Sequence, residues 1–136
     1  MDYTERLLED ITQGIKNTEK DIVYLLNTKE QKVIKTPRDM AGCYKDNHEI
    51  IVIEPMLKDI VEIMEDFALE QDTEEIQEHL LTILKNREKA SAVKNFHRAL
   101  LDYPRSKKNW LKIEDKWLKE RAIELLDDYI KINPDL

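Results

Sequence analysis

The chain has 136 residues, 41% of them hydrophobic and 38% charged, with a formal net charge of -7, two glycines and four prolines. This composition is typical of a globular protein with a heavily charged surface, and it excludes a collagen-like or compositionally disordered chain. No apolar run approaches the roughly 20 residues that a membrane-spanning helix needs. The acidic start differs from a signal peptide, and the single cysteine, Cys43, excludes an internal disulfide. We therefore expect a cytoplasmic protein without membrane contact.

The first 55 residues predict one helix followed by a small sheet. Residues 3–16 predict the helix, because apolar side chains recur at helical spacing: Leu7, Leu8, Ile11 and Ile15. Two β-rich runs, residues 22–26 and 32–35, flank a polar stretch as the strands of a hairpin do. Asn27 suits the turn, since its side chain can bond nearby backbone and tolerates a left-handed conformation.

The segment that follows the hairpin predicts an irregular connection and a third strand. Residues 36–47 contain Pro37 and Gly42, which favour irregular structure over a regular element. Residues 49–55 then predict a strand that Pro55 closes. A three-stranded antiparallel sheet is the simplest arrangement of these segments.

The remaining residues predict about four helices. Residues 56–71 place one apolar stripe on a helix: Leu57, Ile60, Val61, Met64 and Phe67. Asp72, three residues before Glu75, indicates a capping box at the start of the second helix. The third helix ends at Pro104, and the fourth covers residues 106–132, with Asn133 and Pro134 stopping it. Its predicted apolar side carries Trp110, Ile113, Trp117, Ala122, Leu125 and Tyr129.

These elements together predict a single α+β domain over residues 1–136. The N-terminal helix and the three-stranded antiparallel sheet occupy residues 1–55, and a mostly helical part occupies residues 56–136. We find no internal repeat, low-complexity segment or linker that would divide the chain.

Four motifs in the second half resemble the bacterial uncharacterised protein family UPF0158. Met64-Glu65-Asp66-Phe67 matches one motif in full. Ser91-Ala92-Val93, Phe96 and Leu100 have the spacing of a second, with Ser91 and Val93 in place of Gly and Phe. Trp110 matches a tryptophan of the family, and residues 122–126 match its closing block with Leu125 replacing Trp. The resemblance implies an early helix, a hairpin and a helical second half, and it implies no activity.

The sequence predicts no catalytic, cofactor-binding or metal site. Gly14 and Gly42 are too far apart to form a phosphate-binding loop. Glu75 and His79 lie one helical turn apart, but one cysteine and three scattered histidines lack zinc-ligand spacing. Adjacent carboxylates such as Glu65 and Asp66 diverge on a helix and cannot face one substrate. One of them is expected on the surface and the other as a helix cap or ion-pair partner.

Cys43 and His48 are the residues on which a small enzyme would depend. Both lie in the predicted irregular segment, where a histidine base could activate the thiol. The simpler interpretation makes Cys43 a small apolar plug beneath that segment.

Charge is unevenly distributed between two adjacent segments. Residues 54–84 carry ten acidic side chains against one lysine, whereas residues 85–121 carry twelve basic against five acidic. The favoured expectation is that these segments neutralise each other across a helix–helix contact. The alternative is a basic surface that meets an acidic partner, formed by Lys94, Arg98, Arg105, Lys107, Lys108 and Lys112.

The tryptophans bear on the kind of partner. Trp110 and Trp117 lie two helical turns apart, so they share one face, and the favoured interpretation makes both core anchors. If exposed instead, they could stack on bases while neighbouring lysines meet phosphates.

The leading hypothesis is a small non-enzymatic interaction or regulatory module of a bacterial cytoplasm, or of a phage that works there. Its unidentified protein partner would bind the charged helical face or the edge strand of the small sheet. A nucleic-acid-associated protein that uses Arg105 to Lys112 is the alternative, and an enzyme built on Cys43 and His48 ranks below it. A homodimer that covers an open strand edge is a further alternative. No cofactor is predicted.

Overall fold

The computed structural model describes residues 5–44 and 46–132, with side chains through residue 128. In this part of the chain the elements follow one another as α1 (Glu5–Ile15), β1 (Ile22–Asn27), β2 (Lys32–Pro37), β3 (Ile50–Ile53), α2 (Leu57–Leu69), α3 (Glu74–Leu84), α4 (Lys89–Ala99) and α5 (Pro104–Ile132). Short 3-10 helices lie at Arg38–Tyr44 and Leu100–Asp102. The N-terminal helix, the three-stranded antiparallel sheet and the four later helices confirm the predicted α+β class. The first 3-10 helix replaces the irregular connection expected over residues 36–47.

The chain forms two compact units. The first comprises Met1–Pro55 and Lys116–Leu136, and the second comprises Met56–Asp115. Helix α5 begins in the second unit and continues in the first. The expected division between residues 55 and 56 coincides with one limit of the second unit, and the single domain stays a prediction.

The sheet of the first unit has the strand order β2-β1-β3, with both pairs antiparallel. Leu25 on the central strand lies opposite Ile34 of β2 and Val52 of β3. Leu25 is fully buried, whereas Val52 on the edge strand is 41% exposed. The core of this sheet is therefore centred on β1.

Helix α1 approaches the sheet closely because it carries a glycine where it meets the strands. Its buried face contains Leu7, Ile11 and Ile15, as the helical spacing predicts. A Cβ at Gly14 would lie 2.7 Å from Ile53 Cγ2 and 2.9 Å from Tyr24 Cβ. Both distances are shorter than ordinary carbon–carbon contacts of about 3.5–4 Å, so a side chain at this position would force helix and sheet apart.

The hairpin between β1 and β2 turns without a glycine. Asn27 Oδ1 accepts a hydrogen bond from the Glu30 backbone N–H at 3.0 Å, so its side chain stabilises the turn as predicted. The left-handed residue, however, is Gln31, with φ of 54°, and not Asn27. Asn27 instead ends β1 and pairs with Lys32.

Three aromatic rings form the centre of the second unit. Phe67 of α2 and Phe96 of α4 have ring centroids 6.2 Å apart, and Trp110 of α5 lies 5.3 and 5.2 Å from them. All three pairs are edge-to-face, the geometry that aromatic quadrupoles favour. The predicted stripe of α2 is confirmed at Ile60, Val61, Met64 and Phe67, which are buried.

Two helix starts differ from the prediction. Helix α3 is capped by Thr73, whose hydroxyl accepts from the Ile76 backbone N–H at 3.3 Å, and not by Asp72. Helix α5 begins at Pro104, two residues before the predicted start. Proline is favoured at the first helical position because its missing N–H has no helical partner there. The predicted stop at Asn133 and Pro134 lies outside the described residues.

The apolar side predicted for α5 is partly wrong. Trp110 and Ala122 are buried, but Ile113 is 39% exposed and Trp117 is half-buried. Tyr129 lies beyond the described side chains. Within the described residues, no helix is both long and apolar enough to cross a bilayer.

Candidate protein-interaction surface

A buried polar cluster fixes α5 against α4. The Trp110 Nε1–H donates to Glu114 Oε2 at 3.0 Å, and His97 Nε2 lies 2.6 Å from the same oxygen. Because that His97 nitrogen is used by the carboxylate, it cannot also accept from Trp110, although the two nitrogens are 3.3 Å apart. Glu114 is only 8% exposed, so both N–H groups converge on one buried acceptor. The cluster sets the rotation of α5 about its own axis.

Two further contacts fix the turn between α4 and α5. The Ser106 hydroxyl donates to Gln71 Oε1 at 2.7 Å, and the Gln71 amide donates to the Phe67 carbonyl at 2.9 Å. The Tyr103 hydroxyl and His79 Nδ1 are 2.8 Å apart, which ties the turn to α3. The start of α5 is thereby held by both α2 and α3.

With α4 and α5 held in this way, the predicted basic residues form two outward stripes. Lys94 and Arg98 are exposed one turn apart on α4. Arg105, Lys108 and Lys112 recur at helical spacing on the side of α5 that lies opposite buried Trp110, and they are exposed. The sixth, Lys107, lies on the flank of α5 and is half-buried. We call these six residues the basic surface.

The expected neutralisation across a helix–helix contact does not take the form of direct ion pairs among the described residues of the second unit. Among its described residues, no carboxylate of residues 59–78 forms an ion pair with a basic side chain, and no member of the basic surface is paired. The pair between His97 and Glu114 lies inside the basic segment itself. The acidic residues of α2 and α3 and the basic surface therefore have no direct ion pair with each other among the described residues of this unit.

Two leucines lie beside the basic side chains in contact with solvent. Leu101, three residues after Arg98, is 61% exposed, and Leu111, one turn after Lys107 and Lys108, is 45% exposed. Sequence reasoning missed both, because composition does not distinguish an exposed leucine from a buried one. For Leu111, the available signal was its absence from the predicted apolar side of the last helix. Glu114 was missed as well, although its spacing of four residues from Trp110 was visible.

The tryptophans do not provide a stacking surface for bases. Trp110 is 1% exposed and lies in the aromatic core, which confirms its interpretation as a core anchor. Trp117 is half-buried in the first unit, where the Arg121 guanidinium lies over its ring at 5.3 Å. The interpretation of Trp117 as a full core anchor is therefore wrong.

The other candidate groups are dispersed. Cys43 and His48 are both exposed, so the expectation that Cys43 is a buried plug is wrong. His79 bonds to Tyr103, and the described residues contain no group of three metal-ligating side chains. Glu65 is half-buried and Asp66 is exposed, and neither forms an ion pair with a described residue. Asp66 fits the predicted surface position, whereas Glu65 is not the expected ion-pair partner.

Comparison with known proteins identifies the family of the chain. No curated protein and no solved structure matches the chain. The model of the Uncharacterised protein family (UPF0158) matches residues 6–134, which is nearly the whole chain. The four motifs noted above lie within these residues. The chain is therefore a member of the UPF0158 family.

Proposed function

We propose that the protein is a small non-enzymatic interaction module whose basic surface binds an acidic protein. The observation that carries this proposal is the absence of ion pairs at Lys94, Arg98, Arg105, Lys107, Lys108 and Lys112 among the described residues, in a unit rich in carboxylates. Exposed cations that form no ion pair within the described chain remain available to an acidic partner. Exposed charges of one sign accelerate and orient association with the opposite sign.

The way in which α4 and α5 are fixed supports the same proposal. Trp110, Glu114 and His97 hold the two helices together, and Ser106 joins α5 to Gln71, two residues after the end of α2. The basic side chains consequently project from two helices whose relative position is fixed by these hydrogen bonds. Such a surface loses little backbone entropy when a partner binds, which favours affinity.

A protein partner fits this surface better than a nucleic acid. Trp110 is buried, so the basic stripes lack the exposed tryptophan on which bases would stack. Exposed Leu101 and Leu111 add apolar area beside the charges, a combination that suits a protein surface. The net charge of -7 further opposes non-specific binding to phosphates.

The test is affinity capture of a partner by matched variants. Tagged protein is incubated with an extract of its own cells, with and without nuclease, and washed at low and moderate salt. We expect a protein that survives nuclease and is lost from the variant Arg105→Glu/Lys108→Glu/Lys112→Glu, with binding reduced about tenfold or more, because reversal puts like charges in contact.

The matched control reverses three other cations of the second unit that are exposed. The variant Lys58→Glu/Lys85→Glu/Arg87→Glu changes the net charge equally and should capture the partner normally. Equal losses in both variants would show that only total charge matters and would contradict the proposal. If the captured material is nucleic acid, and it is lost after nuclease treatment and at moderate salt, the partner is a nucleic acid and not an acidic protein.

A further inference from the structure

The two exposed leucines beside the basic surface, Leu101 and Leu111, indicate what kind of acidic protein segment it binds. Leu101 ends the series Lys94, Arg98, Leu101, which runs along the outward side of α4 into the 3-10 helix. It is 61% exposed, the largest exposed fraction among the large apolar residues of the described chain. An apolar side chain thus stands at the end of one basic stripe.

Leu111 is the exposed leucine beside the basic side chains of α5. It follows Lys107 by four residues and Lys108 by three, so on a helix it lies next to both. It is 45% exposed, while Trp110, one residue earlier, is turned into the core. Each stripe of the basic surface therefore combines cations with one exposed leucine.

This combination matches a segment that has both acidic and apolar residues on one side. A purely anionic ligand would leave the leucines in water, whereas a purely apolar one would remove the cations from water without a partner, which costs free energy. An amphipathic acidic helix offers carboxylates and apolar side chains at spacings of three and four residues, the same spacings that the stripes show.

We propose that the basic surface, together with Leu101 and Leu111, binds an acidic amphipathic helix of a partner protein. This inference rests on the proposed function and specifies the partner of the same surface. The carboxylates of the helix pair with the lysines and arginines, and its apolar residues cover the two leucines. Charge brings the helix to the surface, and the leucines distinguish it from other polyanions.

The test uses three fluorescent probes of defined composition in fluorescence anisotropy titrations. The first is a peptide of about 18 residues with Glu and Leu at helical spacing, long enough to form a helix when bound. The second has the same number of Glu residues with every Leu replaced by Ala. The third is an oligo(dT) of similar length. We expect the first peptide to bind the protein about tenfold more tightly than either of the other two.

Variants separate the role of the leucines from that of the charges. Leu101→Ala/Leu111→Ala should weaken the Glu/Leu peptide about tenfold and leave the Glu/Ala peptide unchanged, because truncation removes apolar contacts alone. Leu69→Ala is the matched control, since Leu69 of α2 is 59% exposed and lies outside the basic surface. It should bind both peptides as the unaltered protein does. All substituted side chains are exposed, and circular dichroism checks that each variant is folded.

The possible results separate this inference from the proposal on which it rests. If Leu101→Ala/Leu111→Ala changes nothing while Arg105→Glu/Lys108→Glu/Lys112→Glu weakens both peptides, the amphipathic helix is refuted and an acidic partner is retained. If oligo(dT) bound as tightly as the Glu/Leu peptide or more tightly, both the amphipathic helix and the acidic protein partner would be refuted. Failure to bind either peptide would also overturn the amphipathic helix, and the capture experiment alone would then decide whether an acidic protein is bound.

Discussion

Replacing Gly14 by alanine has two opposite effects on the free energy of unfolding: a higher helix propensity, which stabilises the protein, and a steric clash with the sheet, which destabilises it. In the interior of a helix, alanine is favoured over glycine by about 1 kcal/mol, and this value is an upper limit at Gly14, the second-last residue of α1. On that basis alone, Gly14→Ala would stabilise α1 and the protein. The structure indicates the opposite result, because the new Cβ would lie 2.7 Å from Ile53 Cγ2 and 2.9 Å from Tyr24 Cβ.

Neither contact can be relieved by a simple side-chain rotation. Tyr24 Cβ is fixed to the backbone of the central strand, and Ile53 is only 1% exposed, so its methyl group has little space into which to move. Overpacking of this kind costs about 1–3 kcal/mol, and two contacts below 3 Å indicate the upper half of that range. After subtraction of the gain in helix propensity, we expect the free energy of unfolding to fall by about 1–2 kcal/mol.

Urea unfolding followed by circular dichroism measures this difference, with a lowered transition midpoint as the expected result. Gly42→Ala is the matched control, because a Cβ at Gly42 meets nothing within 4 Å and no glycine of the described chain has positive φ. It should be neutral or stabilise the protein by up to about 1 kcal/mol. If Gly14→Ala left the midpoint unchanged or raised it, the close approach of α1 to the sheet would be refuted.

Three other substitutions test contacts that the structure assigns. Glu114→Ala removes the acceptor of the buried Trp110 N–H and should lower the free energy of unfolding in urea by about 2 kcal/mol, whereas Glu114→Gln keeps an acceptor and should cost less. Thr73→Ala should cost about 1 kcal/mol through loss of the α3 cap, and Asp72→Ala less than about 0.5 kcal/mol; equal losses would contradict the cap assignment. Cys43→Ser should leave the melting temperature unchanged because Cys43 is exposed, and a clear decrease would restore its interpretation as a buried plug.

The elements of the fold could be predicted because local patterns and tertiary contacts agree over most of the chain. The buried stripe of α2 follows directly from apolar periodicity, and the strands β1 and β2 follow from their β-rich composition on either side of a polar stretch. Errors occur where two neighbouring residues can play the same role. Asp72 and Thr73 are both good caps, and only the backbone path decides between them. Pro104 can end one helix or begin the next, and here it begins α5.

The positions of the basic surface could be predicted from sequence, but its electrostatic state could not. Counting charges shows that residues 54–84 are acidic and residues 85–121 are basic, from which mutual neutralisation is a reasonable expectation. Whether such pairs form depends on how each helix is rotated about its axis. That rotation is set in part by the Trp110–Glu114–His97 cluster, which joins side chains of two different helices.

The same rotation explains why the leucines of the surface escaped prediction. In the sequence, Leu101 and Leu111 are leucines within helical segments, and composition alone cannot separate an exposed leucine from a buried one. Once Trp110 is turned inward and held by Glu114, Leu111 must lie about 100° away from it around the helix, beside Lys107 and Lys108. The buried polar cluster thus determines which apolar side chain reaches solvent next to the cations. A substitution that loosened this cluster, such as Glu114→Ala, should therefore weaken binding of the Glu/Leu peptide without changing any residue of the surface itself.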